Sequence, residues 1–176
     1  MRGIVDRMTL ERFLAELGRR ARGPGRVYLT GGATALLYGW RPATVDVDLK
    51  LDPEPAGAFE AIAGLKEELD LNVELASPDQ FLPPVPGWRE RSVFVARHGG
   101  VDFFHFDPLS QALAKLARAH ERDLGDVAAM LERGLFSGTD LARALDQIAG
   151  DLVRYPGLDA VAFRERVRRF LEQRRG

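Results

Sequence analysis

The stretch 44–51 constrains this chain more than any other. Val45, Val47, Leu49 and Leu51 alternate there with Thr44, Asp46, Asp48 and Lys50. Side chains on a strand alternate between faces, so the pattern predicts a strand with one aliphatic face and one face carrying two neighbouring carboxylates. The Cβ atoms of Asp46 and Asp48 then lie roughly 6–7 Å apart. Like charges that close repel, and one of them tends to take up a proton. A divalent cation stabilises both ionised forms, and Mg²⁺ is often held by a few carboxylates together with substrate phosphates. The competing reading is a pair of solvated residues on the polar face of a sheet.

Two features elsewhere bear on that choice. Asp102 lies in the apolar run 101–106, where an unpaired carboxylate is costly. If that run forms a strand beside 44–51, three carboxylates converge, a set suited to two metal ions in phosphoryl or nucleotidyl transfer. Gly31-Gly32 stands between a short β-rich run, 27–30, and a helical run, 33–38. Glycines at such a turn let backbone approach a phosphate closely. The turn is neither a Walker A loop nor a G-x-G-x-x-G motif.

The rest of the chain supplies the frame. The spacing predicts helices over 9–20 and 56–69, with Phe59, Ile62, Leu65 and Leu69 of the second facing inward. It predicts a strand at 71–75, a proline-rich loop at 77–87, and strands at 92–96 and 101–106 joined by a His98-Gly99-Gly100 turn. Four helical segments follow, near 109–119, 121–133, 139–152 and 159–173. The expected class is α+β: a small mixed sheet flanked by helices over 1–107, then a helical subdomain over 108–176.

Composition narrows the chemistry. There is no cysteine among the 176 residues, so disulfides and thiol catalysis are excluded and a metal must use carboxylates or one of three histidines. His105 faces away from Asp102 on the expected strand and reads as structural. No apolar run approaches the ~20 residues needed to span a bilayer. The charged N-terminus lacks an apolar signal core, so a cytoplasmic location is expected. Net charge is −1, but arginines load both ends of the chain. That loading is either compositional bias or a basic rim for a phosphate backbone, which Arg matches bidentately.

The residues Gly31-Gly32-Ala33-Thr34-Ala35-Leu36-Leu37, then Arg41 and Thr44, then Asp46-Val47-Asp48-Leu49 resemble the nucleotidyltransferase superfamily related to DNA polymerase β. The variant is most similar to the AbiEii and MenT toxin-like branch. The resemblance implies that Gly31 and Gly32 hold nucleotide phosphates, and that Asp46, Asp48 and Asp102 are catalytic and bind two Mg²⁺, with Mn²⁺ as a substitute. It extends to Leu113-Ala114-Lys115-Leu116 and Arg122-Asp123-Leu124-Gly125-Asp126. Nucleotide-binding roles are therefore expected for Thr34, Arg41, Lys115, Arg122 and Asp126. In one continuous helix over 109–133, Lys115, Arg118, Arg122 and Asp126 share a stripe, with Leu113, Leu116, Leu124, Val127 and Leu131 on another. A charged face laced with i,i+4 pairs explains that stripe equally well.

The expected activity is Mg²⁺-dependent transfer of a nucleoside monophosphate from an NTP to an RNA or tRNA end or to a protein, in a toxin–antitoxin setting with an antitoxin protein as partner. The alternatives are a nucleotide-binding or antitoxin-partner module without turnover, and a nucleotidyltransferase acting on small molecules.

Overall fold

The computed structural model describes residues 2–175. The chain divides into two units: residues 1–77 with 92–106, and residues 78–91 with 107–176. Segment 78–91, expected to belong with the sheet, groups with the helices instead.

The first unit is built on a five-stranded mixed sheet of order β3-β2-β1-β5-β4. Its strands are β1 (Gly25–Thr30), β2 (Asp46–Leu51), β3 (Asn72–Leu75), β4 (Val93–His98) and β5 (Val101–His105). β1 is central. It runs antiparallel to β2, with Thr30 opposite Asp48, and parallel to β5, with Arg26 opposite Asp102. β2 runs parallel to β3, which places Asn72 beside Asp46 and Glu74 beside Asp48.

Three helices cover one sheet face: α1 (Arg7–Arg20), α2 (Gly32–Tyr38) and α3 (Ala58–Glu68). Val27, Leu29, Val47, Leu49 and Phe103 from the strands pack with Leu10, Phe13 and Leu17 of α1, Leu36 of α2 and Leu65 of α3. Burying one such aliphatic side chain contributes about 1.5–3 kcal/mol, so this layer dominates the stability of the unit. The cap of α1 is Asp6, which accepts from Thr9 N at 2.8 Å, so the helix starts ahead of the expected residue 9.

Two expectations shift by a residue or more. β2 begins at Asp46, because the Thr44 backbone exchanges two hydrogen bonds with Val5, at 2.8 and 2.9 Å. That bridge leaves Val45 53% exposed, so it is not part of the aliphatic face. In α3 the buried stripe is Ala58, Ala61, Ile62 and Leu65, and Phe59 sits off it, exposed.

The second unit contains α4 (Trp88–Arg91), α5 (Pro108–Arg118), α6 (Glu121–Glu132), α7 (Gly138–Ile148) and α8 (Ala160–Glu172). Asp107 explains why 78–91 joins these helices. It is fully buried, caps α5 through Leu109 N and Ser110 N, and accepts from Arg91 Nε at 3.0 Å and Nη2 at 2.7 Å. A buried carboxylate needs such partners, and the bidentate arginine supplies the charge.

The single helix expected over 109–133 is two helices. Ala119 takes a left-handed conformation (φ 58°) at the end of α5, and His120 is extended at the start of α6. The break rotates α6 out of register with α5, so Leu124 is exposed while Asp123 and Asp126 are buried.

Candidate functional site

The first unit brings together the two motifs that stand about fifteen residues apart in sequence. Gly31 has φ 60° and ψ −128°, a conformation open to glycine and costly for other residues. A Cβ placed on it would lie 3.2 Å from Asp48 Oδ2. Gly32, the first residue of α2, packs directly on Thr44, whose Cβ lies 2.8 Å from the position a Gly32 Cβ would take. Thr44 in turn donates from Oγ1 to the Asp46 carbonyl at 3.1 Å. The Gly-Gly turn, Thr44 and the Asp-x-Asp strand therefore form one contiguous contact set; the positive φ requires glycine at 31, and Thr44 requires it at 32.

Asp46 and Asp48 share the face of β2 away from the aliphatic layer, both half-buried. Asn72 on β3 donates from Nδ2 to Asp46 Oδ1 and, at 3.1 Å, to Glu74 Oε1. One amide nitrogen thus holds two carboxylates towards each other, and Glu74 stands in register with Asp48. Asn72 and Glu74 are the residues that sequence reasoning missed. The alternation Asn72-Val73-Glu74-Leu75 was the available signal, since it sets two polar groups on one face of a strand parallel to β2.

Asp102 does not join this group. It shares the sheet face with Asp46 and Asp48, but its register partner is Arg26, four residues along β1 from Thr30, the partner of Asp48. Four residues span about 13 Å of strand, and β1 lies between the two strands. The Asp102 carboxylate instead takes a bidentate ion pair from Arg97, at 2.6 and 2.9 Å. The Arg97 hydrogen bonds hold its carboxyl below the usual range, against a smaller opposing effect of burial. The expected convergence failed because β1 inserts between β2 and β5. Asp102→Asn is accordingly expected to leave any nucleotidyl transfer within about twofold of the native rate, read as pyrophosphate release.

Among the described residues, no group of three or more His, Asp or Glu side chains is arranged to hold a metal ion. Asp46 and Asp48 fit a divalent cation that a substrate completes with phosphate oxygens, as Mg²⁺ commonly requires. The two-ion, three-carboxylate centre expected with Asp102 does not fit.

The nucleotide-binding candidates separate. Arg41 is half-buried just past Gly39, the left-handed residue that ends α2. Thr34 is turned inward: it is 1% exposed, bonds the Leu29 carbonyl at 3.3 Å and meets His105 Nδ1 at 2.9 Å. It positions α2 and is closed to a ligand. Arg122 is exposed on α6, and the shared stripe with Lys115 is lost at the α5–α6 break. In the second unit Lys115 is buried and pairs with Asp126 at 2.7 Å and with Asp123 at 3.5 Å. Arg118 adds a bidentate pair to Asp123, at 2.7 and 2.8 Å. Burial pushes the Asp123 carboxyl up, but the Arg118 hydrogen bonds and the Lys115 charge outweigh it and hold it down.

The Arg-rich ends are largely occupied within the chain. Arg2, Arg7, Arg19 and Arg20 pair with Glu67, Glu11, Glu16 and Glu68, and Arg168 and Arg169 pair with Glu165. Arg166 donates to the Leu116 and Ala117 carbonyls at the end of α5. These pairs neutralise much of the basic rim that the sequence suggests.

His105 is buried as expected, at 5% exposure. Burial depresses its pKa to about 4 from an ordinary 6.5, so the folded state holds a neutral imidazole. Below pH 6.5 the unfolded chain takes up a proton that the folded chain refuses until about pH 4. Stability contributed by the neutral ring is therefore present above pH 6.5 and is lost as pH falls across that window, by up to about 3 kcal/mol. Denaturant titrations at pH 7 and pH 4.5 should show the loss, and His105→Phe should flatten it. An unchanged pH slope in that variant would assign the loss to other groups.

No helix among the described residues is long and apolar enough to cross a membrane. No family model, curated protein or solved structure matches the chain.

Proposed function

We propose that this protein transfers a nucleoside monophosphate from an NTP to an acceptor hydroxyl at the contact set of Gly31, Gly32, Thr44, Asp46 and Asp48. The observation that carries the reading is the closure of the Gly-Gly turn on Asp48. Backbone able to approach a phosphate lies beside two carboxylates able to share a cation with it. In this reaction the acceptor hydroxyl oxygen bonds to the α-phosphorus, the bond from that phosphorus to the α,β-bridging oxygen breaks, pyrophosphate leaves, and the hydroxyl proton passes to water. Asp46 and Asp48 would hold Mg²⁺, with Mn²⁺ as a substitute. When bound, the ion supplies charge neutralisation at the phosphates. Asn72 fixes Asp46, and Glu74 adds negative charge at the same edge.

The acceptor classes are an RNA or tRNA end and a protein side chain, in a toxin–antitoxin setting with an antitoxin as partner. The internally paired arginines reduce the support for RNA. The test is incubation with each labelled NTP, Mg²⁺ and total tRNA or protein extract, followed for label transfer and pyrophosphate. The absence of Asp102 from the site favours a second reading, a module that binds NTP·Mg²⁺ without turnover. Calorimetric NTP binding with no pyrophosphate from any acceptor would select it.

A further inference from the structure

On the sheet face opposite Asp48, a cavity of about 500 Å³ is lined by Arg7, Glu11 and Leu14 of α1, Leu37 and Tyr38 of α2, β4 and His105. That volume lies in the range of small-molecule sites, and every residue that lines it belongs to the first unit. Its walls are chiefly apolar. The Tyr38 ring packs on His105 at a tilt (centroids 4.6 Å apart, 31°) and stacks on Trp40 (5.5 Å, 20°). The charges at its rim cancel, because Arg7 Nε pairs with Glu11 at 2.9 Å while Arg7 Nη1 donates to the Leu37 carbonyl at 3.1 Å.

One polar atom gives the cavity its chemistry. We assign the single Thr34 hydroxyl hydrogen to the Leu29 carbonyl at 3.3 Å, which makes His105 Nδ1–H the donor to Thr34 Oγ1 at 2.9 Å. The proton is then on Nδ1, and Nε2 carries a lone pair. Among the described residues Nε2 has no hydrogen-bond partner, yet no sealed side-chain nitrogen or oxygen lacks one. Nε2 therefore opens into the cavity that His105 lines, on a side chain that is 95% withdrawn from solvent by its 5% exposure.

We propose that this cavity is a second binding site, for an uncharged aromatic small molecule that bears one N–H or O–H donor directed at His105 Nε2. The flat ring lies against Leu14, Leu37 and the apolar wall from β4, and the donor satisfies Nε2. An anion gains nothing here, since Arg7 is spent on Glu11 and Leu37. The site does not depend on the proposed transferase reading, because it shares no residue with the Asp46 set.

The test uses the full chain, ¹⁵N-labelled, with two probes of nearly equal shape: indole, which has the donor, and 1-methylindole, which lacks it. The His105 Nε2 resonance of the free protein is expected to be that of an unprotonated nitrogen. Indole should move it saturably, and 1-methylindole should bind about tenfold more weakly, the usual net weight of one neutral hydrogen bond. His105→Phe should abolish the discrimination between the probes. Equal affinity for the two probes, a protonated Nε2, or an unmoved His105 resonance at saturating indole would each overturn the proposal. The comparison of probes on the native chain stands even if the variant does not fold.

Discussion

Replacing Asp46 and Asp48 together by alanine is expected to lower label transfer from NTP by at least about 10²–10³-fold, the range seen when charge stabilisation at a reacting phosphate or carbonyl is removed. Both side chains sit on the half-buried polar face of β2, so their loss opens no cavity in the aliphatic layer. It also removes the repulsion between two like charges on one strand face. The melting temperature should therefore hold or rise while activity falls. That opposition separates a chemical role from a structural one. Asn72 keeps Glu74 as a partner in the variant, so β3 should stay in register. A doubly substituted protein that transfers nucleotide as fast as the native chain would end the transferase reading at this site.

The largest expected loss of stability comes from Lys115→Met. The native ammonium lies between Asp126 and Asp123, and all three side chains are nearly excluded from water. Methionine preserves length and volume but strands the Asp126 carboxylate, and breaking one side of a buried pair typically costs about 3–5 kcal/mol. For a chain of this size that corresponds to a drop in melting temperature of about 10 °C. Asp123 is cushioned by Arg118, so the penalty should fall mainly on Asp126. The double variant Lys115→Met/Asp126→Leu should regain most of the loss, since two apolar groups then replace two charges. A Lys115→Met protein that melts with the native one would show that the pair is not coupled to folding.

The sheet was readable wherever one face was continuously aliphatic. The alternation across 44–51 located β2 and its carboxylates because a one-residue slip would bury Asp46 and Asp48 in the layer of Val47 and Leu49. Asp102 was misplaced for a reason that alternation does not encode. Periodicity assigns a residue to a face, but strand order decides its neighbours, and β1 separates β5 from β2. Glu74 meets the same limit: the alternation over 72–75 gives its face, but nothing local announces that β3 lies parallel to β2. Spacing placed Lys115 and Asp126 on one helical stripe but did not give their ion pair. The partner set includes Asp123 and excludes Arg122, because a left-handed Ala119 resets the helical phase. Thr34 looked like part of the glycine motif, yet one turn into α2 the side chain already points at His105.

The chain crosses between the two units at residues 77–78, 91–92 and 106–107. This alternation sets an order of assembly. As the polypeptide is made, β1, β2 and β3 can pair early, since they are close in sequence. The sheet cannot close at β5 until the 78–91 segment has already emerged. That segment waits longer still, because the carboxylate that holds Arg91 belongs to Asp107, on the other side of the β4–β5 hairpin. The first unit can therefore close only after part of the second has been made, and the second only after all of the first has been made. A cut at 77–78, 91–92 or 106–107 therefore leaves at least one unit divided between two pieces.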